Sequence, residues 1–449
     1  MTDNQPPDRP MKIYLDTIGC RLNQAEIEQM ASQFRAAGHE VIESAAGADL
    51  AIVNTCAVTS DAAADSRQLI RHIARAGVGQ VIATGCWATL QPKEAMALPN
   101  ILRVVSNQQK DNLVANALNL PDSSFIFHLS SFDREPLERS PLPGLHRRTR
   151  AFIKVQDGCD NACTFCVTTI ARGEGKSRPL ADVVRDIQFA LAGGTKEIVL
   201  TGVHLGSWGQ EWGYHLRDLV AAILRETDTP RLRLSSLEPW DLDASFFDLW
   251  RDSRLCKHLH LPLQSGARTV LRRMARKTTP ESFRELVMSA RTVMPEVAIT
   301  TDVIAGFPGE TEEEFSETLE FVREMDFAGG HVFTYSPRPG TAAAKMRGQV
   351  RPEVGKKRNA VLRETFEESS KIYRQKFIGR RLSVLWESVT ELDEWGWQME
   401  GWTENYLRVR ASASSPRWNE VDEVELGEVS GEVLRGTIQN YQAQQKDGR

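Results

Sequence analysis

The sequence predicts an α/β chain in three parts. These are an N-terminal Rossmann-like parallel sheet over residues 11–122, a central partial (β/α) barrel over 151–377, and a small antiparallel β-barrel over 378–440. Residues 123–150 read as a linker. Three observations carry this reading. Strand-like apolar runs alternate with helical patterns from Met11 onward, which argues for parallel sheets with helical crossovers. A Ser- and Pro-rich stretch with little periodicity interrupts the alternation, which then restarts at Ala151. Beyond Gly379 the pattern changes to short alternating runs separated by turn residues, as a small antiparallel barrel requires.

Composition narrows the class. A chain of 449 residues suggests roughly two to four domains. It is 41% hydrophobic and 26% charged, as expected of a soluble globular protein. The formal net charge of -5 means that any nucleic-acid contact must come from local basic patches. Seven cysteines, an odd number and all within the first 256 positions, argue against a secreted disulfide framework and for a reducing, cytoplasmic setting. The first ten residues are polar and proline-rich, with no signal-peptide core, and no apolar run approaches the ~18 residues of a membrane span.

In the N-terminal part, strands are expected at Lys12–Leu15, Leu50–Val53 and Gln80–Ala83, with helices over 23–37 and 60–76. A cysteine follows each strand: Cys20, Cys56 and Cys86. Loops at the carboxyl ends of parallel strands line one edge of the sheet, where ligands bind. Three thiols distant in sequence can therefore converge. Gly19 and Gly85 allow close backbone approach beside two of them. The functional reading is a three-thiolate metal cluster, and the plain alternative is three small buried cysteines.

The barrel opens with Ala151–Val155 and then a second trio, Cys159, Cys163 and Cys166, in CxxxCxxC spacing. Thiolates select iron–sulfur clusters or zinc. No fourth cysteine follows, so a 4Fe-4S cluster held here has one iron open to another ligand. A zinc site completed by a distant His, or ordinary buried cysteines, are the alternatives. Further strands are expected at Glu197–Leu200, Arg231–Leu234, His258–Leu263, Ala298–Val303 and Gly330–Phe333, and active sites in such barrels lie at the carboxyl ends. The loops there carry a glycine-rich turn from Thr201 and Gly202 to Gly209, the carboxylate Glu238, the polar pair Gln264 and Ser265, and Arg338. His204 alone is a weak signal. His258 and His260 share a strand face but read as structural, because no carboxylate or cysteine accompanies them at ligand spacing. Cys256 reads as a small core residue, and Thr311 as the cap of an acidic helix. Glycines near Gly306 do not make a P-loop, because no Lys-Ser/Thr follows. Two basic groups, 146–150 and Arg272, Arg273, Arg276 and Lys277, are solvated faces or RNA-backbone contacts. In the last part Trp397, Trp402, Tyr406 and Arg408 either stack on bases or fill a core, and acidic residues outnumber basic ones.

The trio with Phe165 before its last cysteine, in "QDGCDNACTFC" and followed by "ARGEGKSRP", resembles the radical S-adenosylmethionine (SAM) tRNA methylthiotransferases. "TIGCRLNQAE", "NTCAVT" and "TGCWA" resemble the three segments holding that family's auxiliary cluster. "TIGCRLNQAE" and "HLHLPLQSG" favour the branch acting on threonylcarbamoyladenosine. The resemblance covers nearly the whole chain. It implies two 4Fe-4S clusters, one on Cys159, Cys163 and Cys166 with SAM on its open iron, the other on Cys20, Cys56 and Cys86. It implies that Phe165, Thr201, Gly202, Glu238, Gln264, Ser265, Asp302 and Gly306 line the SAM site and that the last part is a TRAM domain. The partners implied are a tRNA anticodon stem-loop, an electron donor such as flavodoxin or ferredoxin, and a sulfur donor left unspecified. Isopentenyladenosine or a ribosomal-protein aspartate as substrate, and a non-catalytic metal-binding RNA adaptor, are the competing readings.

Overall fold

The computed structural model describes residues 9–119 and 149–439, so the expected linker and the basic residues 146–148 lie almost wholly outside the described residues. In the N-terminal part, five strands pair in parallel: β1 (Lys12–Thr17), β2 (Glu40–Ile42), β3 (Leu50–Thr55), β4 (Val81–Thr84) and β5 (Ile101–Val104), in the order β2-β1-β3-β4-β5. Strand β3 is buried at every position, as its unbroken run of small and branched residues demands. Helices α1 (Arg21–Ala36) and α2 (Ser60–Arg75) follow β1 and β3, and the short α3 (Gly85–Leu90) follows β4 directly. The Thr59 side chain caps α2 by accepting from the Ala62 N–H.

The central part carries all six expected strands: β6 (Arg150–Lys154), β7 (Glu197–Thr201), β8 (Arg231–Leu234), β9 (His258–His260), β10 (Ala298–Ala305) and β11 (Gly329–Thr334). They form two parallel three-stranded sheets, β8-β7-β6 and β9-β10-β11, joined by the bridges Leu232↔Leu255 and Ser236↔His260. The result is an incomplete barrel between edge strands β6 and β11, with α1 packed along β6. After the first strand, α4 (Thr168–Arg172) packs against α3 of the N-terminal part, and outside the barrel run α5 (Leu180–Ala192), α6 (Leu216–Glu226), α7 (Arg268–Arg273), α8 (Pro280–Val293), α9 (Glu312–Glu324) and α10 (Pro352–Gln375). The expected helix at Phe246–Arg251 is instead a tighter 3-10 turn, Ala244–Arg251. Thr311 caps α9 in a reciprocal box with Glu314.

The last part is a closed barrel of β12 (Arg381–Asp393), β13 (Gly396–Thr403), β14 (Arg408–Ala413), β15 (Val421–Ser430) and β16 (Val433–Ile438), antiparallel except for the parallel pair β14–β16. It docks on the amino ends of the central strands. There Glu197, fully buried, pairs with Arg231 at 2.9 Å and Arg233 at 2.7 Å. The two guanidiniums donate to the carbonyls of Trp402, Glu404 and Thr403 at 3.1–3.2 Å. Among the described residues no helix is long and apolar enough to cross a membrane.

Candidate active site

Each N-terminal cysteine stands just past a strand end. Cys20 holds the N-cap of α1 with extended backbone (φ -91°, ψ 174°), and its side chain makes no capping bond. Cys56 directly follows β3. Cys86 differs from the loop position expected of it: it lies in the first turn of α3. Two glycines make the gathering possible. A Cβ on Gly19 (φ +127°) would lie 2.9 Å from Cys56 Cβ and 3.1 Å from its Sγ, and one on Gly85 (φ +93°) would lie 2.3 Å from the Thr55 carbonyl oxygen. The three thiols feel one another's charge. Cys56 is pushed up to about 11, first by burial and further by Cys20 and Cys86, while Arg172 opposes the shift.

The second trio sits in a loop pinned by backbone bonds, Cys159 N to Gly173 O at 3.0 Å, Thr164 N to Met274 O at 3.0 Å, and Ala343 N to Thr164 O at 2.9 Å. Asn161 donates to Cys159 Sγ from N and Nδ2 at 3.5 Å each, the Thr168 N–H to Cys166 Sγ at 3.4 Å, and Arg276 to Cys163 Sγ at 3.9 Å. Burial opposes the Cys159 thiolate, but hydrogen bonds from His204 and Asn161 outweigh it and lower its pKa.

Helix α4 ties the two trios together. It begins just past Cys166 and ends at Arg172, which is buried. Arg172 donates to Glu26 and Asp157 at 2.8 Å each and to Asn23 Oδ1 at 2.8 Å. Lys110 reaches Glu26 at 2.7 Å, and Lys154 reaches Asp157 at 2.8 Å. Burial raises the Glu26 carboxyl, but Lys110, Arg172 and Lys154 together hold it well below the usual carboxylate range. On the same helix the Ala171 carbonyl accepts from Asn107, whose Nδ2 also lies 3.6 Å from Cys86 Sγ. Three cations face the buried carboxylates Glu26 and Asp157 and the exposed Asp111, 3.6 Å from Lys154, and Arg172 brings positive charge beside the N-terminal thiols, which suits an anionic thiolate cluster.

The carboxyl-end loops of the barrel surround the second trio. Thr201 is buried, and a Cβ on Gly202 would lie 3.0 Å from Gln156. Gln156 in turn donates to the Asp157 and Gly158 carbonyls, bracing the start of the cysteine loop. Glu238 accepts from Arg276 at 2.6 Å, and Arg276 also donates to Pro262 O and lies 4.3 Å from the Trp240 ring. Phe165 packs edge-on against Phe307 at 6.5 Å. Gly306 has φ +75° and donates to Glu310, and Gln264 has φ +71° and bridges to β10. Among the described residues, Ser235 Oγ, Trp240 Nε1, Arg276 Nε and Tyr335 Oη are buried without a hydrogen-bond partner. Such atoms leave room for polar partners from a bound ligand or water, and with three soft thiolates beside Arg276 the residues fit a cluster with SAM.

Several expectations change. Ser265 is fully buried and bonds Thr318 of α9 on the outer face, so it does not reach the site. Asp302 binds His260 and His331 at 3.2 Å each, supplying from β10 the carboxylate that the His258–His260 strand lacks locally. Arg276 is no surface cation, and Arg273 is paired to Glu314. Arg338 donates to Ser60 of the N-terminal part. Trp402 and Tyr406 stack inward, Tyr406 lying 4.4 Å from His258, and Arg408 is paired to Glu400. His204 gains weight: it is buried, touches Asn161, and is held at 2.5 Å by Asp241.

Comparison with known proteins agrees with this geometry. Residues 153–322 match the Radical SAM superfamily and residues 12–106 match Uncharacterized protein family UPF0004. The chain is 39% identical over 378 residues to the threonylcarbamoyladenosine tRNA methylthiotransferase MtaB of Thermotoga maritima, covering 83% of this chain and 86% of that one. It is 37% identical to the enzyme of the same name from Bacillus subtilis, covering 88% and 89%. The chain belongs to the radical SAM methylthiotransferase family. As in that family, the cofactors are 4Fe-4S clusters and SAM. It is also 32% identical, over 83% of this chain and 75% of the relative, to a tRNA-2-methylthio-N(6)-dimethylallyladenosine synthase of Bacillus cytotoxicus. In fold it is similar to the radical SAM methyltransferase TsrM of Kitasatospora setae, at TM-score 0.54 and 17% identity, covering 74% of this chain and 75% of that one.

Proposed function

We propose that this enzyme places a methylthio group on the adenine of threonylcarbamoyladenosine, beside the anticodon of tRNA. The observation that carries the reading is the joining of two cysteine trios through α4 and its buried charge knot. Cys159, Cys163 and Cys166 would hold the cluster that binds SAM, and Cys20, Cys56 and Cys86 the second. When bound, these groups supply one-electron cleavage of SAM and a sulfur source, which an inert C–H bond needs and acid–base side chains cannot provide.

The chain's own residues bind and orient. Arg276 holds Glu238 toward the Cys163 side of the site, where a carboxylate can take an amino or ribose group. Asp241 fixes the His204 imidazole against the Asn161–Cys159 turn. Thr201 and Gly202 bring backbone close to the bound ligand. The C-terminal barrel is read as a TRAM domain, which docks the stem-loop while its Tyr406 loop closes the amino ends of the central strands. A flavodoxin- or ferredoxin-type donor reduces the enzyme in the cytoplasm.

Nucleoside analysis of tRNA from a deletion strain tests this reading. Loss of 2-methylthio-threonylcarbamoyladenosine, restored by the wild-type gene and not by a Cys163→Ala copy, supports it. Persistence of that nucleoside, with loss of the methylthio-isopentenyl one, refutes it.

A further inference from the structure

One corner of the barrel interior is built by all three parts of the chain. Arg21, next to Cys20, donates from Nη2 to Tyr406 Oη at 2.9 Å, and its guanidinium lies 5.7 Å from the Tyr406 ring centre. Tyr406 comes from the C-terminal barrel in a left-handed conformation (φ +62°) and is stacked between Trp402 at 4.6 Å and His258 at 4.4 Å. His258 and His260 share Thr300 Oγ1, and His260 leads on to Asp302 and His331.

The charges in this corner do not cancel. Arg231 and Arg233 are neutralised by Glu197, and Arg150 by Glu387. Asp302 is engaged by His260 and His331. Among the described residues, Arg21 alone of these groups has no carboxylate partner. Its charge reaches both histidines: burial, then Arg233 and Arg21, hold the His258 pKa well down, while at His331 Asp302 raises the pKa and Arg21 only opposes that rise. His331 gives Nδ1 to Asp302; its side chain is 71% exposed, and Nε2 has no partner among the described residues. An uncompensated guanidinium bonded to a phenol hydroxyl thus lies within electrostatic reach of an imidazole with a free nitrogen, a donor set for a carboxylate and a poor one for an aliphatic group.

We propose that Arg21, with Tyr406 Oη and His331 Nε2, recognises the carboxylate on the N6 substituent of the substrate adenine and so selects the threonylcarbamoyl over the isopentenyl base. The inference rests on the activity assigned above and names the residues that decide its substrate. Arg21 lies in "TIGCRLNQAE", and His258 and His260, which flank the proposed groups, lie in "HLHLPLQSG", the segments that first pointed to this branch.

The test is anisotropy binding of labelled anticodon stem-loops to reconstituted, unreduced, full-length enzyme. Three stem-loops are compared, carrying threonylcarbamoyladenosine, its uncharged threonine-carboxamide counterpart, or isopentenyladenosine. The wild type should prefer the carboxylate over the carboxamide by roughly 10- to 100-fold, as a charge-assisted hydrogen bond provides. Arg21→Gln should erase that preference without changing carboxamide binding, and Arg21→Lys should keep part of it. Iron content and melting temperature verify that the variants are folded. Equal weakening of all three stem-loops by Arg21→Gln would assign Arg21 to the RNA backbone and overturn the inference. So would full retention of the preference, while methylthiolation of the carboxylate stem-loop by wild type would leave the assigned activity standing. Wild-type enzyme that methylthiolates only the isopentenyl stem-loop overturns both.

Discussion

Replacing Glu26 with Gln removes the centre of the charge knot between the N-terminal sheet and the barrel. Glu26 is 2% exposed and faces Lys110, Arg172 and Lys154, with Asp157 as the second carboxylate. In the variant three buried cations would keep Asp157 and, 3.6 Å from Lys154, the exposed Asp111. Breaking a buried pair this way costs about 3–5 kcal/mol. For a cooperative unit of this size that is a fall of roughly 6–20 °C in melting temperature. Lys110→Met perturbs the same knot in the opposite sense, leaving Lys154 and Arg172 to satisfy both buried carboxylates, with Asp111 exposed to water, and should cost less than half as much. The pH dependence has a fixed sign. The Glu26 carboxyl is depressed in the fold, so its contribution is complete above the ordinary carboxylate range and is lost as pH falls below it. The gap between wild type and Glu26→Gln should therefore narrow on acidification. Differential scanning of reconstituted protein measures all three. Equal losses from Glu26→Gln and Lys110→Met, or a gap that widens at low pH, would refute the charge accounting.

Other consequences are as specific. Gly158→Ala, at φ +69°, would put a Cβ 1.9 Å from the Glu174 carbonyl oxygen; iron analysis should show about half the iron lost, with the N-terminal cluster kept. Glu197→Gln orphans two buried arginines that hold the C-terminal barrel, so trypsin should cut faster within 376–380 and stability should fall by about 3–5 kcal/mol. Arg276→Met frees Glu238 and leaves iron intact; SAM affinity in equilibrium dialysis should fall roughly 10-fold or more.

What the sequence makes legible follows from the range of the forces involved. The parallel strands read as apolar runs because their burial is written locally: β3 and β4 are buried at every position. The cysteines read as ligand trios because soft ligands are rare and their spacing or strand-end placement is short-range. Thr311 read as a cap because the bond it makes spans three residues. Arg276 did not read correctly. It stands in a basic run beside exposed Arg272, and only the left-handed turn at Ala275 (φ +54°) aims it at Glu238. Asp302 with His331, Glu26 with Arg172, and Arg21 with Tyr406 are pairs 29, 146 and 385 residues apart. No periodicity marks them, because the chain topology creates them. Gly85 was the one local hint at Cys86, whose helical placement follows from a turn too tight for any side chain.

The account stands most directly on the three cysteines Cys20, Cys56 and Cys86. Iron analysis and product analysis should be made together on the enzyme with all three changed to Ala. The variant should keep about four of the eight irons of the wild type, still cleave SAM to 5′-deoxyadenosine under reduction, and form no methylthiolated nucleoside. Undiminished iron, or methylthiolated product from that variant, would contradict the second cluster and with it the proposed reaction.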